Sequence, residues 1–574
     1  MHMKEKAKSP DNSNYQPIEG DLSRWPVVKM ARNRKAFVKA VADESLERLL
    51  ENRRSSAALI EELETTVFKE RLRIKQNPWD VDPEDDRKFW NSLRSELGAL
   101  SHKQSSEEEK MGQLRVMVHK VVSRYAEEIA GNFKPSHYRL ARTVVTFGLT
   151  RLLNAAKLHK FTGIFKNDYT LDEKIKIKGA GDKIRALAKK GTIILVPTHF
   201  SNLDSVLLGY VIHRLGLPPF IYGAGLNLFN IKIFAYFMDS LGAYKVDRRK
   251  KNQIYLEALK TYSSKAIREG AHSLFFPGGT RSRSGKMEKK LKLGLLSTAI
   301  EAQRYNFTST DENKDRKIYV VPLVINYNFV LEAPELIDQY LKLKGQERYY
   351  VENDEYSDSY KILKFLIKFF TRGSSIAVSL GEPMDVVGNL VNEKGESLDS
   401  RNKVVDVRDY FVKNGEINID HQREHQYTRM LGDKISKAYY DINCVQGSNL
   451  SAFIAYQMLK KKHSRIDFFN LLRLPEEELI IDYEAFKQNF AKLLETIKAM
   501  QKQGKIEVAD HLLREDLDLD KMIASGIRNV GMYHSKQALY IAKDQQRIQS
   551  EDMNLLFYYH NRLDGYHLDE LITI

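Results

Sequence analysis

His199 and Asp204 are candidates for a general base and the carboxylate that orients it. The apolar, β-branched run Thr192–Val196 predicts a buried strand before them. Ser201 or Asn202 is predicted to cap the helix that follows, so His199 lies in a strand-to-helix connection. A carboxylate on one ring nitrogen fixes the tautomer and leaves the other nitrogen free to accept a proton. With fifteen histidines in the chain, this position after a strand is stronger evidence than the spacing.

A second segment, Phe275–Lys286, has the composition of an anion-binding turn. Gly278 and Gly279 let the backbone approach a ligand closely and present its N–H groups. Arg281 and Arg283 offer guanidinium forks that match phosphate oxygens, and a point charge follows. The candidate phosphate-binding residues here are Gly279, Arg281, Ser282, Arg283 and Lys286. The segment is not a nucleotide P-loop, because Met287 follows the lysine in place of Ser or Thr.

Two further segments complete an ordered set of four. Gly242–Arg248 is a glycine-opened strand that ends in positive charge, and Val320–Tyr327 is a buried strand interrupted by a proline. In chain order, the blocks His-x4-Asp, Gly-x3-Val-Asp-Arg, Phe-Pro-Gly-Gly-Thr-Arg-Ser and Val-Pro-x-x-Ile-x-Tyr resemble those of the glycerolipid acyltransferases. Segments around Glu128–Phe133 and Phe557–Asn561 extend the resemblance to the bacterial glycerol-3-phosphate acyltransferases. The resemblance covers about residue 115 to the C-terminus and is firmest between Gly191 and Tyr327.

The resemblance implies a specific reaction. His199, oriented by Asp204, would take the proton of a primary hydroxyl of glycerol 3-phosphate, and the alkoxide would attack the thioester of acyl-CoA or acyl carrier protein directly. It also implies that Arg248 joins Arg281 and Arg283 around the phosphate. The product would be lysophosphatidate, and no cofactor is expected. One departure is Gly278, which stands where the family usually carries Glu, so an acidic contact is missing at this position.

Three alternatives compete with this reaction, and the first of them is from the same enzyme class. An enzyme that acylates lysophosphatidate is disfavoured by the additional N- and C-terminal helical regions. A basic nucleic-acid-binding protein would explain the charge but predicts basic and aromatic residues interleaved in a recognised module. An inactive scaffold is disfavoured by the presence of both His199 and Asp204. A metal site is not expected, because the histidines share no ligand spacing and the chain has one cysteine.

The predicted fold class is an α/β catalytic core, a mainly parallel sheet flanked by helices, with helical N-terminal and C-terminal regions. Strands are predicted at 191–196, 220–222, 243–246, 272–276, 318–325 and 375–380. Gly179-Ala180-Gly181 is not a dinucleotide fingerprint, because it lacks a third glycine and a preceding buried strand. The predicted divisions are a disordered lead (1–25), a helical N-terminal region (26–165), an acyltransferase α/β domain (166–390) and a helical C-terminal region (391–574).

The charge, the cysteine content and the apolar segments of the chain indicate where in the cell the protein is expected. The net charge is +15 with a pI near 9.3, which suits an anionic bilayer or another polyanion. Cys444 is the single cysteine, so a reducing compartment is expected. The N-terminus has no apolar signal core, and no membrane span is predicted. Residues 361–372 form a predicted basic amphipathic helix, and 218–244 is a second apolar candidate, each equally compatible with a core-facing helix. We expect a peripheral enzyme on the cytoplasmic face of the inner (plasma) membrane, with no nucleic-acid partner.

Overall fold

A computed structural model describes residues 15–102, 106–140, 175–226, 238, 241–345, 376–532 and 534–574. A seven-stranded sheet lies at its centre. In chain order its strands are β1 (Ile175–Gly179), β2 (Gly191–Pro197), β3 (Ile221–Gly225), β4 (Ala243–Val246), β5 (Ser273–Leu274), β6 (Lys317–Tyr327) and β7 (Ile376–Leu380). Their spatial order is β1-β7-β6-β2-β5-β3-β4. All neighbours are parallel except β6 and β7, which are antiparallel. The predicted fold class is therefore confirmed.

The described residues form sixteen α-helices. They are α1 (Pro26–Arg32), α2 (Arg34–Asn52), α3 (Ser56–Gln76), α4 (Asp86–His102), α5 (Glu107–Ile129), α6 (Gly181–Ala188), α7 (Asp204–Arg214), α8 (Gln253–Arg268), α9 (Leu293–Thr308), α10 (Ala333–Gly345), α11 (His421–Asp441), α12 (Gly447–Lys462), α13 (Phe468–Leu471), α14 (Tyr483–Lys502), α15 (Leu519–Asn529) and α16 (Met553–His560). Short 3₁₀ helices occupy Leu22–Arg24, Val407–Phe411, Glu476–Glu478, Asp510–Leu512, Asn561–Leu563 and Asp569–Leu571.

Ten short strands follow the central sheet and were not predicted. They are β8 (Leu390–Val391), β9 (Ser397–Leu398), β10 (Val404–Val405), β11 (Val412–Lys413), β12 (Glu416–Ile417), β13 (Cys444–Val445), β14 (Ile480–Asp482), β15 (Glu507–Val508), β16 (Tyr540–Ile541) and β17 (Arg547–Gln549). Each has two or three residues, too few for a period-two pattern to stand out in the sequence.

The central strands match the sequence pattern because they are buried on both faces. Every residue of β2 is buried, which explains its uninterrupted apolar run. The strand β1 was missed by the prediction, and it directly precedes Gly179-Ala180-Gly181. It lies at the edge of the sheet, and only its first residue is buried. Its Ile-Lys-Ile-Lys alternation is therefore that of a strand with one face packed against protein and the other facing solvent.

Two large hydrophobic clusters and two small ones lie within the described residues. One large cluster is continuous from Ile175 to Ile572, so the C-terminal helices share the core of the sheet. The other large cluster joins the N-terminal helices to β3, β4 and α8. The described part of the predicted disordered lead is ordered, since Ile18 N–H donates to Gly216 O at 2.9 Å. The other domain limits stay predictions.

Candidate functional site

The connection from β2 to α7 holds the predicted pair at bonding distance. His199 Nδ1 lies 2.7 Å from Asp204 Oδ2, and the carboxylate is fully buried while the imidazole is 15% exposed. Because a carboxylate only accepts, Nδ1 carries the proton and Nε2 is the basic nitrogen. Among the described residues, none bonds Nε2. The geometry therefore leaves one imidazole nitrogen available to accept a proton.

Asp204 is held by several donors at once. Its Oδ2 also accepts from Phe200 N–H at 2.7 Å and Ser201 N–H at 3.0 Å, and its Oδ1 accepts from the Tyr327 hydroxyl at 2.5 Å. The predicted cap was wrong, because α7 begins at Asp204 after Leu203, which makes no side-chain capping bond. Because the Asp204 carboxylate accepts hydrogen bonds from the backbone N–H groups of this turn, it holds the β2–α7 loop in place as well as the imidazole.

The glycine-rich turn lies directly beside the histidine. Ser282 N–H donates to His199 O at 2.8 Å, which joins the two loops. The His199 ring stacks on Phe276, with centroids 4.0 Å apart and planes inclined by 22°. Gly279 and Gly285 have φ of +78° and +79°, a conformation that side chains rarely adopt. The turn is thus shaped by backbone geometry and anchored to the base.

Two of the predicted phosphate-binding cations are paired with carboxylates. Arg281 is buried, and its Nη1 lies 3.3 Å from Glu332 Oε1. Glu332 in turn accepts from Ser201 Oγ at 3.1 Å. Lys286 Nζ lies 2.9 Å from Asp564 Oδ2, and the hydroxyl of Ser282 donates to the Lys286 carbonyl at 2.8 Å. These contacts bind the turn to neighbouring elements.

The other predicted cations gather around a lysine that sequence reasoning missed. Burial, and then the positive charges of Arg248, Arg283 and Lys251, lower the pKa of Lys292. The Lys292 amide donates to Pro277 O at 2.8 Å, and its side chain lies across Gly279, where an added Cβ would come within 2.6 Å of Nζ. Like charges near one another disfavour the charged form of each, which agrees with the lowered pKa of Lys292. The run Lys289-Lys290-Leu291-Lys292 just before α9 was the available clue.

Residues 176–326 match the family model described as Acyltransferase. The match covers about a quarter of the chain, and this segment is similar to that family. The matched segment contains β2, the His199 loop, the glycine-rich turn and nearly all of β6. Among solved structures, the 1-acyl-sn-glycerophosphate (LPA) acyltransferase PlsC from Thermotoga maritima aligns with 15% identity over 48% of this chain and 88% of its own, with a TM-score of 0.23.

A buried carboxyl group lies next to the peptide N–H of His199 and next to Gly278. Glu288 Oε1 accepts from His199 N–H at 3.5 Å, and Oε2 is buried without a hydrogen bond among the described residues. Burial raises the pKa of Glu288 to about 7, despite the His199 amide and Arg562, which lower it. The carboxylate lies against Gly278. An acidic group is therefore present beside position 278, although it is carried by a residue ten positions later, and no local pattern indicated it.

The C-terminal region places a guanidinium behind the base. Arg562 lies over the Phe200 ring at 3.5 Å from its centroid, and its Nη1 lies 3.3 Å from the sulfur of Met287. Burial lowers the pKa of this guanidinium, while Glu288 and Asp204 raise it. The neighbouring Asn561 donates to Ser284 O at 2.7 Å. Residues far from the matched segment thus touch both of its functional loops.

The N-terminal region holds the loop that carries Arg248. Arg249 donates to Asp82 Oδ2 at 3.1 Å and to Asp247 Oδ2 at 2.8 Å, and it stacks on Trp79 at 3.8 Å. Lys250, 2% exposed, pairs with Glu128 of α5. Asn252 Nδ2 donates to Glu70 Oε1 at 3.1 Å and to the Tyr125 hydroxyl at 2.9 Å. Such buried pairs fix one geometry, because separating them leaves a charge without a partner.

An apolar cavity of about 190 Å³ borders α7. Its lining is mainly aliphatic and aromatic and includes Val206, Leu208, Ile212, Phe220, Tyr222 and Leu274. Its lining also includes Ser205, which follows Asp204 in the chain. Its chemistry suits a hydrocarbon chain.

The predicted membrane helix 361–372 lies outside the described residues. Within the part of the chain that the structure describes, no helix is long and apolar enough to cross a bilayer. In the same part, no group of three or more histidine, cysteine or acidic residues is arranged to hold a metal ion.

Proposed function

We propose that the protein is a glycerol-3-phosphate 1-O-acyltransferase, which transfers a fatty acyl group from an acyl thioester to glycerol 3-phosphate and forms lysophosphatidate for phospholipid synthesis. The observation that carries the proposal is the proximity of a general base to a cation cluster on one glycine-rich turn. His199 supplies the base, and Ser282 ties it to the turn on which Lys292 lies. A phosphorylated alcohol has the two groups that such an arrangement recognises.

In the proposed step, His199 Nε2 takes the proton of the primary hydroxyl while the new C–O bond forms at the thioester carbonyl. The tetrahedral intermediate then collapses, the C–S bond breaks, and the imidazolium returns its proton to the departing thiolate. Asp204 stabilises the imidazolium through Nδ1. No acyl-enzyme is required, and general-base catalysis of this type contributes roughly 10²–10⁴-fold.

Arg248, Arg283 and Lys292 are the proposed phosphate ligands, with Gly279 allowing close approach of the phosphate to the backbone. For Arg281 and Lys286 we propose an indirect part, because each has a carboxylate partner. Pairing of Arg281 with Glu332 keeps the turn next to Ser201 and hence next to the base.

The acyl donor is proposed to be acyl-CoA or acyl carrier protein, whose negative charge suits the basic chain. The apolar cavity beside α7 would take its hydrocarbon chain. We further propose peripheral attachment to an anionic membrane surface on the cytoplasmic side. The net charge of +15 supports it, since each basic residue near such a surface contributes about 1 kcal/mol. Flotation with anionic but not neutral liposomes, weakened by salt, is the expected result.

The deciding experiment is acyl transfer with the full-length protein, glycerol 3-phosphate and each donor, followed by thiol release and product chromatography. His199→Ala should abolish detectable transfer while the circular-dichroism spectrum stays unchanged. Retained turnover would refute the role of the base. Lysophosphatidate in place of glycerol 3-phosphate is the competing acceptor, and faster turnover with it would overturn the proposed specificity.

Lys292→Ala tests the phosphate site, with Lys290→Ala as the matched control on the same exposed run. Loss of a charged hydrogen bond is worth about 1.5–3 kcal/mol, so KM for glycerol 3-phosphate should rise roughly 10- to 100-fold. KM for the acyl donor should stay near its original value, and Lys290→Ala should change neither. Equal effects of the two substitutions on KM would show that Lys292 is not part of the phosphate site.

A further inference from the structure

The space beside Gly278 is occupied by another residue's carboxylate. A Cβ added at position 278 would lie 2.5 Å from Glu288 Oε1 and 3.1 Å from its Cδ. Gly278 is not among the glycines with positive φ, so its backbone conformation does not demand glycine. Glycine is required at this position because the Glu288 side chain leaves no space for a Cβ. Gly278 and Glu288 therefore form a coupled pair, in which the absence of one side chain admits the other.

The position of Glu288 is adjacent to the chemistry. Its Oε1 is the acceptor for the peptide N–H of His199, and Oε2 is buried with no hydrogen-bond partner among the described residues. Charged and ionisable groups face it from three directions. They are Asp204 on α7, Arg562 near the C-terminus, and Tyr439 and Tyr440 on α11.

A carboxylate at this place is unfavourable for folding. Burial raises the pKa of Glu288 to about 7, and the nearby Asp204 carboxylate acts in the same direction. An apolar side chain of similar size would fill the same volume without an unsatisfied oxygen. A group kept in an unfavourable setting next to reacting residues is a candidate for a functional role.

We propose that Glu288 is a positioning residue for His199, whose carboxylate holds the His199 peptide and balances the Arg562 guanidinium from the space that Gly278 leaves open. This inference rests on the proposed function, in which His199 is the base. The imidazole is constrained at Nδ1 by Asp204 and at its main chain by Glu288, so the two carboxylates fix the ring from different atoms. A displacement of about 1 Å can reduce a rate by up to about 100-fold.

Because Gly278 and Glu288 are neighbours in space, the glutamate can be moved from position 288 to position 278 by a double substitution. In a glutamate the carboxyl carbon lies two bonds from Cβ, and the existing carboxylate lies 2.5–3.1 Å from the Cβ position of residue 278. A glutamate at 278 can therefore bring its carboxyl group to nearly the same point, provided that the Glu288 side chain is removed. With both glutamates present, two carboxylates compete for one buried space.

The experiment measures kcat and KM for full-length Glu288→Ala, Gly278→Glu and the double variant, with thermal melts for each. Each single substitution should lower kcat by about 10- to 100-fold with little change in KM for glycerol 3-phosphate, and the double variant should regain most of the loss. Glu477→Ala, at an exposed position, serves as the matched control. A folded double variant no faster than the slower single variant would overturn the inference.

A pH profile supplies a readout that a merely structural role would not change. If the anionic form of Glu288 holds His199, the acid limb of kcat/KM for the wild type includes protonation of both residues and approaches a slope of two. Glu288→Gln resembles the neutral form of Glu288 at every pH, so its kcat/KM should be lower on the plateau and its acid limb should have a slope near one. Identical slopes would count against the inference.

The His199→Ala variant separates the two proposals. If it is inactive while every Glu288 variant has wild-type kcat, the positioning role is wrong and the base assignment stands. If His199→Ala keeps its activity, the proposed function fails first, whatever the Glu288 variants do.

Discussion

Glu288→Gln should stabilise the protein at high pH and leave it less affected at low pH. In the fold the pKa of this carboxyl rises from 4.5 to about 7, chiefly because it is buried. Between those values the folded state keeps a proton that the unfolded state releases. Since stability falls with pH wherever the folded state binds more protons, the contribution of Glu288 is fully present below pH 4.5 and is lost as pH rises through 7.

The magnitude follows from the pKa difference. One pKa unit corresponds to about 1.4 kcal/mol, so ionisation of Glu288 reduces the free energy of unfolding by about 3 kcal/mol at pH 8, and most of this develops above pH 5. Glutamine cannot ionise and escapes this loss. The change in unfolding free energy caused by Glu288→Gln should therefore be about 2–3 kcal/mol more favourable at pH 8 than at pH 5. Any fixed effect of the amide cancels in that difference.

The assay is urea unfolding of the wild type and the variant at both pH values, monitored by circular dichroism and by fluorescence. Glu477→Gln, which replaces an exposed carboxylate, is the control and should produce the same small change at pH 5 and pH 8. A Glu288→Gln effect that is equal at the two pH values would show that the carboxyl ionises as readily in the fold as in the unfolded chain. The reasoning from burial would then be refuted.

Three other substitutions have distinct expected outcomes. Gly279→Ala should raise KM for glycerol 3-phosphate, because alanine at a positive φ adds about 1–3 kcal/mol of strain and the new methyl group meets Lys292. The control is Gly294→Ala, which should leave the kinetics unchanged because nothing lies within 4 Å of the added methyl group. Tyr327→Phe should lower kcat about tenfold or more without unfolding, since Asp204 loses a donor. Arg249→Ala should raise KM for glycerol 3-phosphate and lower the free energy of unfolding by about 3–5 kcal/mol. A wild-type KM would show that Arg249 does not hold the loop that carries Arg248 in place.

Local patterns were sufficient to predict the contact between His199 and Asp204. The His199–Asp204 contact spans five residues at the end of a strand buried on both faces, and both features can be read from sequence. The strand β1 was also readable in principle from its alternation, but a short edge strand with two lysines is easily taken for a loop. In each case the deciding interactions are close in the chain.

The partners of the cations could not be predicted, because they are distant in sequence. Arg281 and its partner Glu332 are 51 positions apart, and Lys286 pairs with Asp564 from the C-terminal region. A guanidinium in a glycine turn has the same local sequence whether it binds substrate or a buried carboxylate. Lys292 was missed for the converse reason, since its role depends on Arg248 and Arg283, which only the fold brings beside it.

The active arrangement draws on regions beyond the matched acyltransferase segment, which ends at residue 326. Glu332 binds Arg281 and the His199 loop, while Arg562 lies against Phe200 from near the C-terminus. On the other side, helices before the segment fix the residues that follow Arg248. Because each contact restrains a loop that carries a proposed substrate-binding or catalytic group, the flanking regions act on geometry at the site. A loss of any one of them should therefore affect turnover before it unfolds the sheet.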